Sequence, residues 1–259
     1  MTAYEKVRTA RNNARPTACD YIGRIFSSFI ELHGDRRYRD DKAVIGGIAF
    51  LRDMPVTVIG IEKGHTANER IHHSFGSPSP EGYRKALRLM RMSEKFRHPI
   101  VTLVDTSGAY CGIGAEERGQ GEAIAENLLE MSALSVPIVS LLIGEGGSGG
   151  ALALALSDRL WMLENSIYSV ISPEGCASIL WRDGGEAAKA AEALRLTAED
   201  AAELGIADRI IDEELIGTDY FYTKLRDELY EEILSLSSHE NIRDERYRRF
   251  RAFGEHQKI

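Results

Sequence analysis

The sequence predicts an α/β protein in which parallel strands run into small-residue turns and then helices. Three observations carry that expectation. Ile138 to Ile143 is a largely apolar run of strand length without polar alternation, the pattern of a strand covered on both faces. Six of the next seven positions are Gly or Ser, and Ala151-Leu152-Ala153-Leu154-Ala155-Leu156 then offers only good helix formers. The same unit occurs once before, because Pro99-Ile100-Val101 lies 38 positions ahead of Pro137-Ile138-Val139 and also leads into glycines and a helical pattern. Stacked units of this kind put two glycine turns at one end of neighbouring parallel strands, where α/β folds collect their sites. Finally, 259 residues with 43% hydrophobic content suffice for one substantial core.

Taken in order, the first fifteen residues, with Arg8, Arg11 and Arg15 and few apolar positions, read as loosely ordered until something packs on them. From Asp20, the positions Ile22, Phe26, Phe29 and Ile30 share one face of a helix that Gly34 stops. The charged run Gly34 to Lys42 reads as a solvated connector. Ala43 to Phe50 and Val56 to Ile61 read as a hairpin, followed by a polar, basic segment from Lys63 to His73. Ser79-Pro80-Glu81 starts a helix whose buried face is Tyr83, Leu87 and Met90, with Arg84, Lys85, Arg88 and Arg91 on its wet side. Ser172-Pro173-Glu174 repeats that start.

Glu116 to Leu134 has helical spacing, and Arg159 to Leu163 and Ile167 to Ile171 read as strands. Glu186 to Leu196 is an Ala-rich helix; Thr197-Ala198-Glu199-Asp200 resembles a capping box for another that ends at Gly205. Ile206 to Asp212 reads as a short edge strand and Thr218 to Ser237 as a long amphipathic helix. Within the basic cluster Arg243 to Arg251, the Arg-rich stretch Glu245 to Arg251 reads as a solvated end, with a subunit contact as the alternative.

Composition narrows the function. A net charge of −8 argues against nucleic acid as the main partner. Cys19, Cys111 and Cys176 form neither a metal-ligand spacing nor an even disulfide set, so a reducing, cytoplasmic setting and no metal of its own are expected. No apolar run reaches the roughly 18 residues that cross a bilayer, so no membrane partner is expected.

The loop from Gly144 to Gly150 admits several readings. Gly144-x-Gly146-x-x-Gly149, with Glu164 as ribose ligand, matches a dinucleotide fingerprint and would make a nicotinamide-dependent oxidoreductase. Gly146-x-Ser148-x-Gly150 matches a nucleophile elbow, but no histidine lies between His98 and His239. A tight packing turn in a scaffold subunit is a third reading. A fourth is a set of free backbone N–H groups at a helix N-terminus, which favours an anion or a developing oxyanion.

Four blocks carry a family resemblance. They are Phe75-Gly76 with Pro80 to Met90; Gly112 through Gly114-Ala115-Glu116-Glu117-Arg118-Gly119-Gln120; Ile143 to Ala153; and Tyr168-Ser169-Val170-Ile171-Ser172-Pro173-Glu174-Gly175-Cys176-Ala177-Ser178-Ile179-Leu180-Trp181. From Gly34 to Asp212, with an echo from Arg246-Tyr247 to Phe253-Gly254, the chain resembles the α subunits of bacterial acetyl-CoA carboxylase carboxyltransferase. The resemblance implies a crotonase-like ββα superhelix with flanking N- and C-terminal helices. The chain would divide into an N-terminal segment and helix over 1–33, the carboxyltransferase unit over 34–215, and a C-terminal helix and basic tail over 216–259.

It further implies transfer of a carboxyl group from carboxybiotin to acetyl-CoA, giving malonyl-CoA for fatty acid biosynthesis. Biotin is then supplied by a separate biotin carboxyl carrier protein served by biotin carboxylase. Most of the acyl-CoA and the zinc belong to a partner β subunit in an α2β2 assembly. Carried over by position, the N–H groups of Gly149 and Gly150 hold the biotin ureido oxygen, and Gly108, Ala109, Gly112, Gly114, Gly146 and Gly147 line the carboxybiotin side.

Lys63, Arg84 and Arg118 are candidates for charge near the substrate, Ser148 is a small turn residue, and Gly150→Val is expected to fold and lose transfer. Ser107 and Cys111 stand where the family usually has prolines. Contacts from the long N-terminal extension of some members are not expected. Related crotonase-type carboxyltransferases acting on propionyl-CoA and malonate decarboxylase subunits are the alternatives under this resemblance, and the four blocks favour acetyl-CoA.

Overall fold

The computed structural model describes residues 1–254, and its centre is an eight-stranded sheet. Chain order gives α1 (Ala3–Ala10), α2 (Ala18–Ile25), β1 (Ser27–Glu31), β2 (Val44–Leu51), β3 (Met54–Ile61), α3 (Ala67–His72), α4 (Pro80–Phe96), β4 (Ile100–Thr106), α5 (Ile113–Glu117), α6 (Gln120–Ala133) and β5 (Ile138–Gly147). Then follow α7 (Ser148–Ala155), β6 (Arg159–Leu163), β7 (Ile167–Ser169), α8 (Pro173–Trp181), α9 (Ala187–Leu194), α10 (Ala198–Glu203), β8 (Arg209–Ile211), α11 (Asp219–Ser237) and α12 (Ile242–Ala252). Strand order is β1-β2-β3-β4-β5-β6-β8, antiparallel as far as β3 and parallel from β3 onward, with β7 pairing the far end of β5.

The two-fold period of the strands splits the core into two layers. Val101, Leu103, Val139 and Leu141 pack with Tyr21, Phe221, Leu225 and Leu229 of α2 and α11. Ile100, Val104, Ile138 and Leu142 face Leu89, Met90, Met131 and Leu154 of α4, α6 and α7. Both faces of β4 and β5 are therefore covered, as their unbroken apolar runs require. The repeated unit is real, since β4 and β5 pair in parallel with Ile100 opposite Ile138. Among the described residues, no helix is long and apolar enough to cross a membrane.

Several expectations need correction. The helix from Asp20 does not run to Gly34. It ends at Ile25, and Phe29 and Ile30 lie in β1, entered through Ser28 at φ 52°. The first fifteen residues are ordered, because Thr2 and Glu5 form a capping box on α1 and long-range carboxylates neutralise the arginines that follow. The connector from Gly34 is not simply solvated. Asp35 accepts the N–H groups of Arg37, Tyr38 and Arg39 and the Nε of Arg84. Asp40 takes fully buried Lys85 at 2.7 Å, so the supposed wet side of α4 is partly internal.

Ser79 does begin α4, yet its own side chain caps nothing; Asp41 accepts its N–H at 2.6 Å instead. Thr197 and Asp200 do form the expected capping box. The basic stretch is helical in α12, and Arg246 is 1% exposed. Its five N–H donors are all used, on both oxygens of Asp158 at 2.8 Å and on the carbonyls of Met131, Leu134 and Val136. The end of the 216–259 segment, including His256, lies outside the described residues.

Candidate active site

Both glycine turns lie at the carboxyl ends of β4 and β5, against one another. A Cβ on Gly147 would collide with Ser107 O and stand 2.9 Å from Gly108 N. A Cβ on Gly150 would collide with Ala109 N and stand 2.8 Å from Gly108 C and 2.9 Å from Tyr83 Oη. Both positions need glycine because backbone packs on backbone there. Tyr83, wholly buried on α4, adds a hydrogen bond from its hydroxyl to Gly150 O at 3.2 Å.

Gly149 differs from both. Only Ile124 Cγ2, at 3.8 Å, lies within 4 Å of a Cβ placed on it. It borders a groove of 240 Å³ lined by Ser148, Gly149, Leu152, Tyr168, Ser169 and Val170. Gly149 and Gly150 fall in the first turn of α7, where N–H groups have no intrahelical carbonyl. Outside the bonds internal to helices and strands, no backbone hydrogen bond among the described residues uses either N–H as donor. The partial positive charge of a helix start is thus exposed beside a mostly apolar wall. Ser148, at the bend, is exposed and has φ 53°, a conformation that costs a non-glycine residue about 1 kcal/mol or more.

Beneath the turns lies a chain of charges. Lys63, just past β3, is 2.6 Å from Asp105 and 3.2 Å from Glu145, and Asp105 also accepts the Glu145 N–H at 2.8 Å. Gly144 makes room for this, since a Cβ there would collide with the Asp105 carboxylate. Arg11 joins Glu145 to Glu174 of α8, both at 2.8 Å, while Arg15 pairs with Glu213 at 2.6 Å and donates to Ile143 O. Burial opposes the charged form of Glu145, yet Lys63 and Arg11 outweigh it and hold its carboxyl below the usual range. Burial would likewise lower Lys63, but Asp105 and Glu145 raise it. A cleft of 260 Å³ opens above these groups, walled by residues of the 10–17 segment, Gly64, Arg70 and Phe75. A larger hollow, of 320 Å³, lies between β8 and α11, lined by none of the candidate residues.

The structure therefore brings Gly108, Ala109, Gly146 and Gly147 to the Gly149–Gly150 turn. Gly112 and Gly114 instead begin α5, and they line neither the groove nor the cleft. Lys63 reaches the cleft as a partner of two carboxylates. Arg84 and Arg118 do not reach it: they are engaged with buried Glu81, Arg118 Nε at 2.6 Å and Arg84 Nη2 at 3.1 Å. The dinucleotide reading fails on geometry, because Gly144 and Gly146 lie inside β5, not in a turn, and Glu164 follows β6 with its carbonyl on Lys6. The elbow reading lacks its base, since no histidine lines the groove or the cleft. Gly150→Val cannot isolate chemistry either, because the side chain would strike the other turn. Sequence reasoning missed Arg11, Asp105 and Glu145, whose partners are far apart in the chain.

A family profile described as acetyl co-enzyme A carboxylase carboxyltransferase-like matches residues 1–254. The chain is 63% identical over 213 residues to the acetyl-coenzyme A carboxylase carboxyl transferase subunit alpha of Ruminiclostridium cellulolyticum, covering 82% of each. It is 60% identical over 213 residues, 82% of its length, to the carboxyl transferase subunits beta/alpha of Natranaerobius thermophilus, of which it covers 35%. In shape it is similar to the transcarboxylase 12S hexamer core with methylmalonyl-coenzyme A bound, with a TM-score of 0.73 at 18% identity over 91% of this chain and 45% of that one. At such identity the likeness speaks for the fold alone, a crotonase-type α/β fold. With a profile spanning every described residue and a relative sharing more than half its positions, the chain belongs to the acetyl co-enzyme A carboxylase carboxyltransferase-like family.

Proposed function

We propose that this chain is the α subunit of a biotin-dependent acetyl-CoA carboxyltransferase, which makes malonyl-CoA for fatty acid biosynthesis. The observation that carries the reading is the pair of N–H donors of Gly149 and Gly150 in the first turn of α7, with Gly149 bordering an open, largely apolar groove. Carboxybiotin, brought by a separate carrier protein, supplies the carboxyl group.

The groove walls, Leu152, Tyr168 and Val170, suit the carbon face of a ring, and the two donors suit its ureido oxygen. Negative charge gathers on that oxygen as the N–CO₂ bond breaks, so fixed donors stabilise the transition state more than the ground state. No side-chain nucleophile is required. The Lys63–Asp105–Glu145 group fixes the strand ends that carry both turns. Among the described residues no group of His, Cys, Asp and Glu could hold a metal ion. A β subunit that carries the zinc and binds most of the acyl-CoA completes the site, in keeping with the fused beta/alpha relative. Biotin carboxylase recharges the carrier.

Purifying this chain with a zinc-ribbon β subunit and a carboxylated carrier, then measuring malonyl-CoA with and without the chain, tests the reading. Formation that does not depend on the chain makes it a scaffold, and faster turnover of propionyl-CoA than acetyl-CoA changes the substrate. Ser148→Ala should keep transfer within about threefold of the unmodified enzyme, because the hydroxyl takes no part; a loss of 100-fold or more, the scale of losing a catalytic group, would make Ser148 a participant.

A further inference from the structure

The turn after β4 carries a device for aiming a donor. Thr106, the last residue of β4, is wholly buried. Its hydroxyl accepts the Gly108 N–H at 3.0 Å and donates to the Gly108 carbonyl oxygen at 2.9 Å. That carbonyl belongs to the peptide joining Gly108 to Ala109, and a trans peptide points its N–H opposite to its C=O. With the oxygen anchored on Thr106, the Ala109 N–H is turned away from it.

The far side of the turn is anchored as well. Tyr110 N–H donates to Pro78 O at 2.9 Å, and Gln120 Nε2 donates to Pro78 O at 2.8 Å and to Tyr110 O at 3.0 Å. Between the two anchors the Ala109 N–H remains, and none of the hydrogen bonds among the described residues uses it. Ala109 N is also the atom that a Cβ on Gly150 would strike, so this donor stands against the first turn of α7. Gly108 has φ 144°, which a side chain would strain.

We infer that Thr106 is a positioning residue for carboxyl transfer. Its hydroxyl fixes and polarises the Gly108–Ala109 peptide so that the Ala109 N–H works beside those of Gly149 and Gly150. The inference rests on the carboxyltransferase reading above. A hydrogen bond to a carbonyl strengthens the N–H on the other side of the same peptide, so the hydroxyl acts on strength as well as direction.

Two variants in the assembled enzyme separate aim from packing. Thr106→Val keeps the shape and removes the hydroxyl; Thr106→Ser keeps the hydroxyl and removes a methyl. Val should lower kcat about 10- to 100-fold with KM for acetyl-CoA within about twofold, and Ser should stay within about threefold in kcat. If Val fails to fold, Thr106→Ala against Thr106→Ser asks the same question. Full activity in the variant without the hydroxyl, equal losses in both, or a change in KM alone overturns the inference. An unmodified complex that makes no malonyl-CoA overturns the reaction reading instead, and that result is recognisable without any variant.

Discussion

Replacing Arg246 with alanine should cost the fold about 3–5 kcal/mol, the range for breaking a buried ion pair by removing one member. Asp158 would keep its burial and its bond from Ile138 N–H but lose its only counter-charge among the described residues. Three carbonyls at the end of α6 and the start of β5 would lose their donor at the same time. Arg246→Lys should recover only part, because an ammonium has three donors where the guanidinium uses five in a fixed fork. Urea midpoints of the three chains measure this, and an unchanged midpoint for alanine would show that α12 adds nothing to the body.

Gly149→Ala should leave the fold intact and remove most of the carboxyl transfer. The new methyl meets only Ile124 Cγ2 at 3.8 Å, and alanine in place of glycine favours a helix by about 1 kcal/mol, so the thermal midpoint should hold or rise. The methyl occupies the groove beside the two donors, and turnover should fall by about 100-fold or more, the size of losing one oxyanion donor. Gly150→Ala gives the contrast, with its midpoint falling because Ala109 N is in the way. Near-normal turnover in a well-folded Gly149→Ala enzyme would take these donors out of the mechanism.

Much of this was legible from short stretches. The two strand-to-glycine units, the helix starts at Ser79 and Ser172 and the capping box at Thr197 are local signals, and each produced its element. Phe29 and Ile30 misled because their spacing suits a helix face, while the strand that follows the helix end at Ile25 depends on pairing with β2. Charged side chains were the harder case. Arg11 finds its carboxylates 134 and 163 residues away and Arg15 finds one at 198, so each resembled a solvated charge in its own neighbourhood. At the site, glycine spacing marked where the turns lie. It did not reveal that Gly150 is tight and Gly149 open, because that difference is set by Ala109 across the strands.

Arg246 lies 88 residues beyond Asp158. A ribosome adding about 5–20 residues per second reaches it about 4–18 s later. Until then the nascent sheet holds that aspartate without the guanidinium that pairs with it in the finished fold. The final lock on β5 and β6 is therefore deferred until α12 has been made, so the sheet's own strands are synthesised well before the side chain that fastens them.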